Sequence, residues 1–175
     1  MRRMGDLYEL TLSLDLSADL TGDELAELRW HTGQGPRPER LPIGSDHYLE
    51  AYPLGDPDDP ACEWDTAEPE PLLAGRGAGW QVGGALVAEL VGRKNPDGWA
   101  LTARQAVHPD SFYLVRTLLG WLGRRSLHAG TGGVEFFVGY LRFCESVEIA
   151  PLVLLDGRIR VPAEVEAHTP YWEGP

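Results

Sequence analysis

The sequence predicts an α+β domain of ferredoxin-like order, strand–helix–strand–strand–helix–strand. Its antiparallel sheet would carry two helices on one face and a long irregular insertion after the first helix. Three observations carry this expectation. Residues 7–16, LYELTLSLDL, alternate apolar and polar side chains, which is the period of a half-buried strand. Helix-start chemistry occurs twice, at Thr21 and at Pro109, each time after a strand-like run. Between them, Asn95-Pro96-Asp97-Gly98 separates two apolar stretches as a hairpin turn would.

Each element has its own reason. In 7–16, Tyr8, Leu10, Leu12, Leu14 and Leu16 share a core face, while Glu9, Thr11, Ser13 and Asp15 share the opposite one. Thr21 with Glu24 has the form of a capping box, and Asp23 and Glu24 suit the positive end of a helix. A helix over 21–32 then stops at Gly33, with Gly35 and Pro36 beyond. Residues 34–79 hold 8 of the 14 prolines and read as loop, apart from a short strand from His47 to Tyr52. The glycines between Gly75 and Gly84 let the chain turn into the hairpin that follows.

Residues 85–91 and 99–107 form the hairpin, joined by a type I turn with Pro96 in its second position. Trp99, Leu101, Ala103 and Val107 share a face on which Gln105 is the exception. Pro109 and Asp110 open the second helix, with Phe112, Val115, Leu119 and Leu122 on its buried face. Residues 134–144, VEFFVGYLRFC, are apolar on both sides, as in a strand covered on both faces. A short strand at 152–155 and an extension at 158–161 add to the sheet edge. One domain spans 1–161, and 162–175, with three prolines, reads as a loosely held tail. One domain also suits the 175-residue length.

Charge is unevenly placed. Residues 1–71 hold 17 acids against 5 arginines, and residues 72–175 hold 10 acids against 10 bases. The whole net charge of −12 therefore belongs to the first 71 residues. It is densest where Asp56, Asp58, Asp59, Glu63, Asp65, Glu68 and Glu70 stand among four prolines without a base. Like charges repel and proline blocks regular structure, so this is an extended, solvated loop. Taken alone it solubilises the chain; it is also the surface a basic partner would meet. Trp64 inside it is either an anchor for a protein partner or a pin to its own domain.

The balance excludes several function classes. Nucleic-acid binding needs clustered Lys and Arg, whereas one lysine and dispersed arginines are present. No apolar run approaches the roughly 18 residues of a membrane span, and Arg2-Arg3 is not followed by the apolar region of an export signal, so a cytoplasmic location is expected. Neither cysteine belongs to a metal-binding spacing, and no Gly-x-Ser-x-Gly elbow occurs. Asp46, His47 and Glu50 make a weak metal-ligand set that reads better as a polar edge strand. The glycines after Gly75 lack a lysine-serine pair and a following helix, so no nucleotide site is expected. No metal and no cofactor is called for.

The open face of the sheet is the remaining site. Arg104 sits in mid-strand, an uncomfortable place for an unpaired guanidinium, with Glu9 or Asp15 as its partner. Arg142 is placed similarly on the last long strand. These groups read first as structural ion pairs on a sheet face that meets a second copy of the chain, and second as a polar ligand cleft with Arg104 as anion anchor. Arg76 and Trp80 could frame the mouth of such a cleft.

The run GWALTARQAVHPDSFYLVRTLLGWL, followed by VGYLRF, resembles a group of uncharacterised bacterial proteins of actinomycete type. In these a strand passes through a His-Pro-Asp turn into a helix and then a Gly-Tyr/Phe-x-Arg strand. The resemblance spans roughly residues 72–156 and implies a small cytoplasmic protein, with no activity to carry over. The leading expectation is a non-catalytic accessory or regulatory protein, homodimeric, that binds a protein partner through the acidic loop. The alternative is a small enzyme or small-molecule binder working on the open sheet face.

Overall fold

The structure, a computed structural model, describes residues 7–44, 51–56, 58–66 and 68–167. Strand β1 (Tyr8–Leu16) follows its alternation and buries Leu10, Leu12, Leu14 and Leu16. Helix α1 (Gly22–His31) begins with the capping box: the Glu24 N–H donates to the Thr21 hydroxyl, and the Thr21 N–H donates to the Glu24 carboxylate. Strands β2 (Ala51–Pro53) and β3 (Trp64–Thr66) form a separate two-stranded hairpin. Strand β4 (Gly77–Ala78) leads into β5 (Ala85–Lys94) and β6 (Asp97–Val107). A 3-10 turn, Pro109–Ser111, in which the Asp110 N–H donates to His108 Nδ1, opens α2 (Phe112–Arg125). Then come β7 (Phe136–Phe143), β8 (Ala150–Leu155), β9 (Arg158–Arg160) and α3 (Ala163–Ala167).

The sheet corrects the fold-class expectation. It has seven strands in the order β4-β5-β6-β1-β7-β8-β9, every neighbouring pair antiparallel. The ferredoxin-like layout, two helices packed on four strands, is not what forms. The physical reason lies at the edges: backbone N–H and C=O groups on an outer strand recruit further strands until the last ones are short. Here β4 has two residues and β9 three. The chain is mostly sheet, with α1 and α2 as its longer helices.

The hydrophobic core lies on one side of this sheet. The even-numbered leucines of β1, Leu101 and Ala103 of β6, and Leu141 of β7 meet Leu28 of α1 and Val115, Leu118, Leu119 and Leu122 of α2. Burying each such leucine is worth about 1.5–3 kcal/mol. Gln105, the polar exception on the core face, is buried because its side chain closes the backbone of the loop before β5. Its amide donates to the carbonyls of Gly75 and Val87 and accepts from the Gly75 N–H.

Three local expectations change. The β5–β6 turn is the pair Asn95-Pro96, joined by a cis peptide bond, with Lys94 and Asp97 already paired; it is not a type I turn. Strand β7 is not covered on both faces, since Phe137 is 63% exposed. It also bulges between Phe137 and Gly139, where a Cβ on Gly139 would stand 1.9 Å from the Thr11 carbonyl oxygen, so β1 and β7 approach only because that position is glycine. Of the expected strand from His47 to Tyr52, the part before Ala51 lies outside the described residues. The final helix α3 falls within the segment read as a tail, and its Val165 is buried.

Candidate functional site

The open face of the sheet brings Glu9, Arg104 and Arg142 together. The register sets Glu9 opposite Arg142 on β7, and Thr11 opposite both Arg104 on β6 and Tyr140 on β7. Residues directly opposed in an antiparallel pair point to the same side. Arg104 Nε donates to Glu9 Oε1 at 2.7 Å, and Arg142 donates to Oε2 from Nε at 2.9 Å and from Nη2 at 2.6 Å. The Tyr140 hydroxyl donates to Oε1 at 3.2 Å. Glu9 is only 3% exposed.

Burial alone would raise the Glu9 carboxyl. The hydrogen bonds from Arg142 and Arg104, the charge of Arg104 and the Tyr140 hydroxyl outweigh it and hold the group below its ordinary 4.5. A general base at neutral pH needs the opposite tuning, so this carboxylate is suited to an ion triad and not to proton transfer. The remaining guanidinium donors are engaged as well. Arg104 donates to the carbonyls of Val82, Gly83 and Ala85 and so pins the loop between β4 and β5 over the face. Arg142 Nη1 donates to the carbonyls of Cys144 and Ser146.

The other open-face candidates go elsewhere. Asp15 pairs with Arg93. Arg76 donates to the carbonyls of Leu73, Gly75, Thr32 and Ala88, tying the end of α1 to β5. Trp80 belongs to the loop that Arg104 pins and is 64% exposed. Arg76 and Trp80 therefore do not join the Glu9 triad.

The acidic segment is built from α1 outward. Glu27, fully buried, accepts the N–H groups of Ile43 (2.6 Å) and Gly44 (3.1 Å), and His31 Nδ1 accepts the N–H of Leu72 at 3.2 Å. One helix face thus holds the chain on both sides of the acidic stretch. Between these anchors the hairpin sets Pro53 opposite Trp64, and the Leu54 N–H donates to the Glu63 carbonyl at 2.8 Å. Trp64 and Leu54 are each 58% exposed on this hairpin, Trp64 opposite Pro53 and Leu54 one position further along.

The carboxylates divide into groups. Asp56 accepts the N–H of Asp58, and Asp59 accepts that of Ala61, so both shape the loop backbone. Glu68 pairs with Arg37. Asp58, Glu63 and Glu70 are exposed, as is Asp65, which has a partner within the protein. Leu54 is the residue that sequence reading missed. Its place on the hairpin follows from the pairing of β2 with β3, and no local pattern announces it.

Among the described residues, no three His, Cys, Asp or Glu side chains gather as a metal site would require, and no helix is long and apolar enough to cross a membrane. Asp46, His47 and Glu50 lie outside the described residues. Comparison with protein-family profiles, curated proteins and solved structures gives no match to this chain.

Proposed function

We propose that the chain is a non-catalytic protein-binding module that presents its acidic hairpin to a basic surface on a protein partner. The carrying observation is the exposure of both Trp64 and Leu54 on the hairpin that also bears Glu63 and Asp65. A tryptophan pinned to its own domain would be buried. An exposed aromatic and an exposed leucine on one hairpin, amid charge of one sign, have the composition of an interface anchor with a polar rim. The carboxylates would speed encounter with a basic surface and fix orientation, while the two apolar groups would supply most of the affinity. The engagement of Arg104 and Arg142 by Glu9 and by backbone carbonyls favours this reading over a ligand cleft on the open face.

The test is native mass spectrometry of the chain purified gently from its own host, compared with a Leu54→Ser/Trp64→Ala variant and with a variant whose seven acids at 56–70 are neutral. A protein complex that disappears in both variants, with their circular dichroism unchanged, is the expected result. A complex that survives both changes, or a bound small molecule with no protein partner, overturns the reading.

A further inference from the structure

A cleft of about 680 Å³ lies between α2, β9 and α3. It is lined by Arg116 and Arg124 of α2, Arg158 and Arg160 of β9, and Glu166 of α3. Its charge is opposite in sign to that of the chain as a whole, which carries −12. The sequence builds it simply. Arg116, Gly120 and Arg124 are spaced four apart and stack along one helix face, and Arg158 and Arg160 are two apart on a strand and share a side. Gly123 joins the two elements. A Cβ there would come within 2.7 Å of the Gly157 carbonyl oxygen and 3.1 Å of the Ile159 nitrogen, so only glycine lets the β8–β9 turn seat on α2.

The pairing of the arginines singles this cleft out. Seven of the described arginines face a carboxylate, Arg76 is held by four carbonyls, and Arg29 lies over the Trp99 ring. Arg124 and Arg158 have no such partner among the described residues, and both line this cleft. They come from different elements and converge on a space of the size that small-molecule sites occupy. Guanidinium forks match the paired oxygens of phosphate and carboxylate groups.

We infer that this cleft is a binding site for a small, multiply charged oxyanion, held between Arg124 on α2 and Arg158 on β9. Two guanidiniums on separate elements call for a ligand with at least two anionic groups. The acidity of the rest of the chain disfavours a long nucleic-acid backbone, which would meet repulsion beyond the cleft. The site is independent of the acidic hairpin and stands whether or not that hairpin binds a protein.

Isothermal titration calorimetry on the full chain in low salt tests this, with sodium pyrophosphate and citrate as separate probes. At least one is expected to bind; which one does distinguishes phosphate from carboxylate chemistry. An Arg124→Ala/Arg158→Ala variant should lower the affinity about tenfold or more, since hydrogen bonds between charged groups are worth about 1.5–3 kcal/mol. Gly120→Asp is the second variant. A Cβ at that position lies 3.6 Å from Arg124 Nη1, so the new carboxylate would pair with Arg124 and repel an anion without disturbing the core. Arg37→Ala, remote from the cleft, should leave binding unchanged. Binding of neither probe, or binding that persists in both cleft variants, overturns the inference; if the double variant loses its circular dichroism, Gly120→Asp decides.

Discussion

Arginines meet at two places in this molecule, and the two are built differently. At the centre of the sheet, Arg104 and Arg142 close on one buried carboxylate, and their remaining donors reach five backbone carbonyls. At the β9 edge, Arg124 and Arg158 stand in a cleft that Glu166 also lines, and neither is paired with a carboxylate or carbonyl of the described residues. The difference follows from surroundings. A charge on a central strand loses most of its water and must be paired within the fold. A charge on an edge strand or an outer helix face keeps its water, so the fold tolerates it without a partner. Unpaired charge gathered in a concave place is then available to a ligand.

Removing the central carboxylate is the sharpest way to break that contrast. Glu9→Ala leaves two guanidiniums facing each other, about a quarter exposed, and should cost about 3 kcal/mol, read as a lowered urea midpoint. A loss under about 1 kcal/mol would mean that water rehydrates both arginines and that the centre resembles the edge.

Acid should act on the same region. The Glu9 carboxyl is held below 4.5 for the reasons given. Burial would raise that of Glu24, but the Thr21 N–H, Arg125 and the Trp121 N–H lower it further than burial raises it. A carboxyl lowered in the folded state contributes stability in full above its unfolded value, and loses it as pH falls through the folded one. Thermal midpoints should therefore hold from pH 7 to about 5 and fall below about 4.5. Glu9→Gln should flatten that acid limb, and an unchanged limb would remove the triad as its source.

Smaller effects sharpen the edge side. Gly123→Ala forces the β8–β9 turn away from α2 and should cost about 1–2 kcal/mol net of the better helix propensity of alanine. It should also weaken any anion bound in the cleft. Arg124→Ala/Arg158→Ala should change stability by no more than about 0.5 kcal/mol, because neither side chain has a partner among the described residues to lose. Leu54→Ser/Trp64→Ala should be equally mild in the urea midpoint. A large loss in that variant would place the hairpin within the folded core and not on a binding surface.

Much of this was legible locally. The period-two run of β1, the capping box at Thr21 and the apolar stripe of α2 each depend on neighbours within a few residues, and all three formed as their residues dictate. Glu9 was one of two possible partners for Arg104; the register chose it and gave Asp15 to Arg93. Arg124 and Arg158 were visible only as scattered charges, since nothing local says that a helix and an edge strand 34 positions apart in the chain will meet.

The sequence by itself determined that β1, β5, β6 and β7 are strands and α1 and α2 helices, which faces of β1 and α2 are apolar, and that the net negative charge belongs to the first 71 residues. These are consequences of side-chain period, capping and Coulomb repulsion, which act over short distances along the chain. Only the tertiary structure decided how many strands the sheet holds, which carboxylate meets which guanidinium, and that Arg124 and Arg158 have no partner among the described residues. Those outcomes depend on strand register and on close approaches such as that at Gly123, where groups remote in sequence compete for the same place.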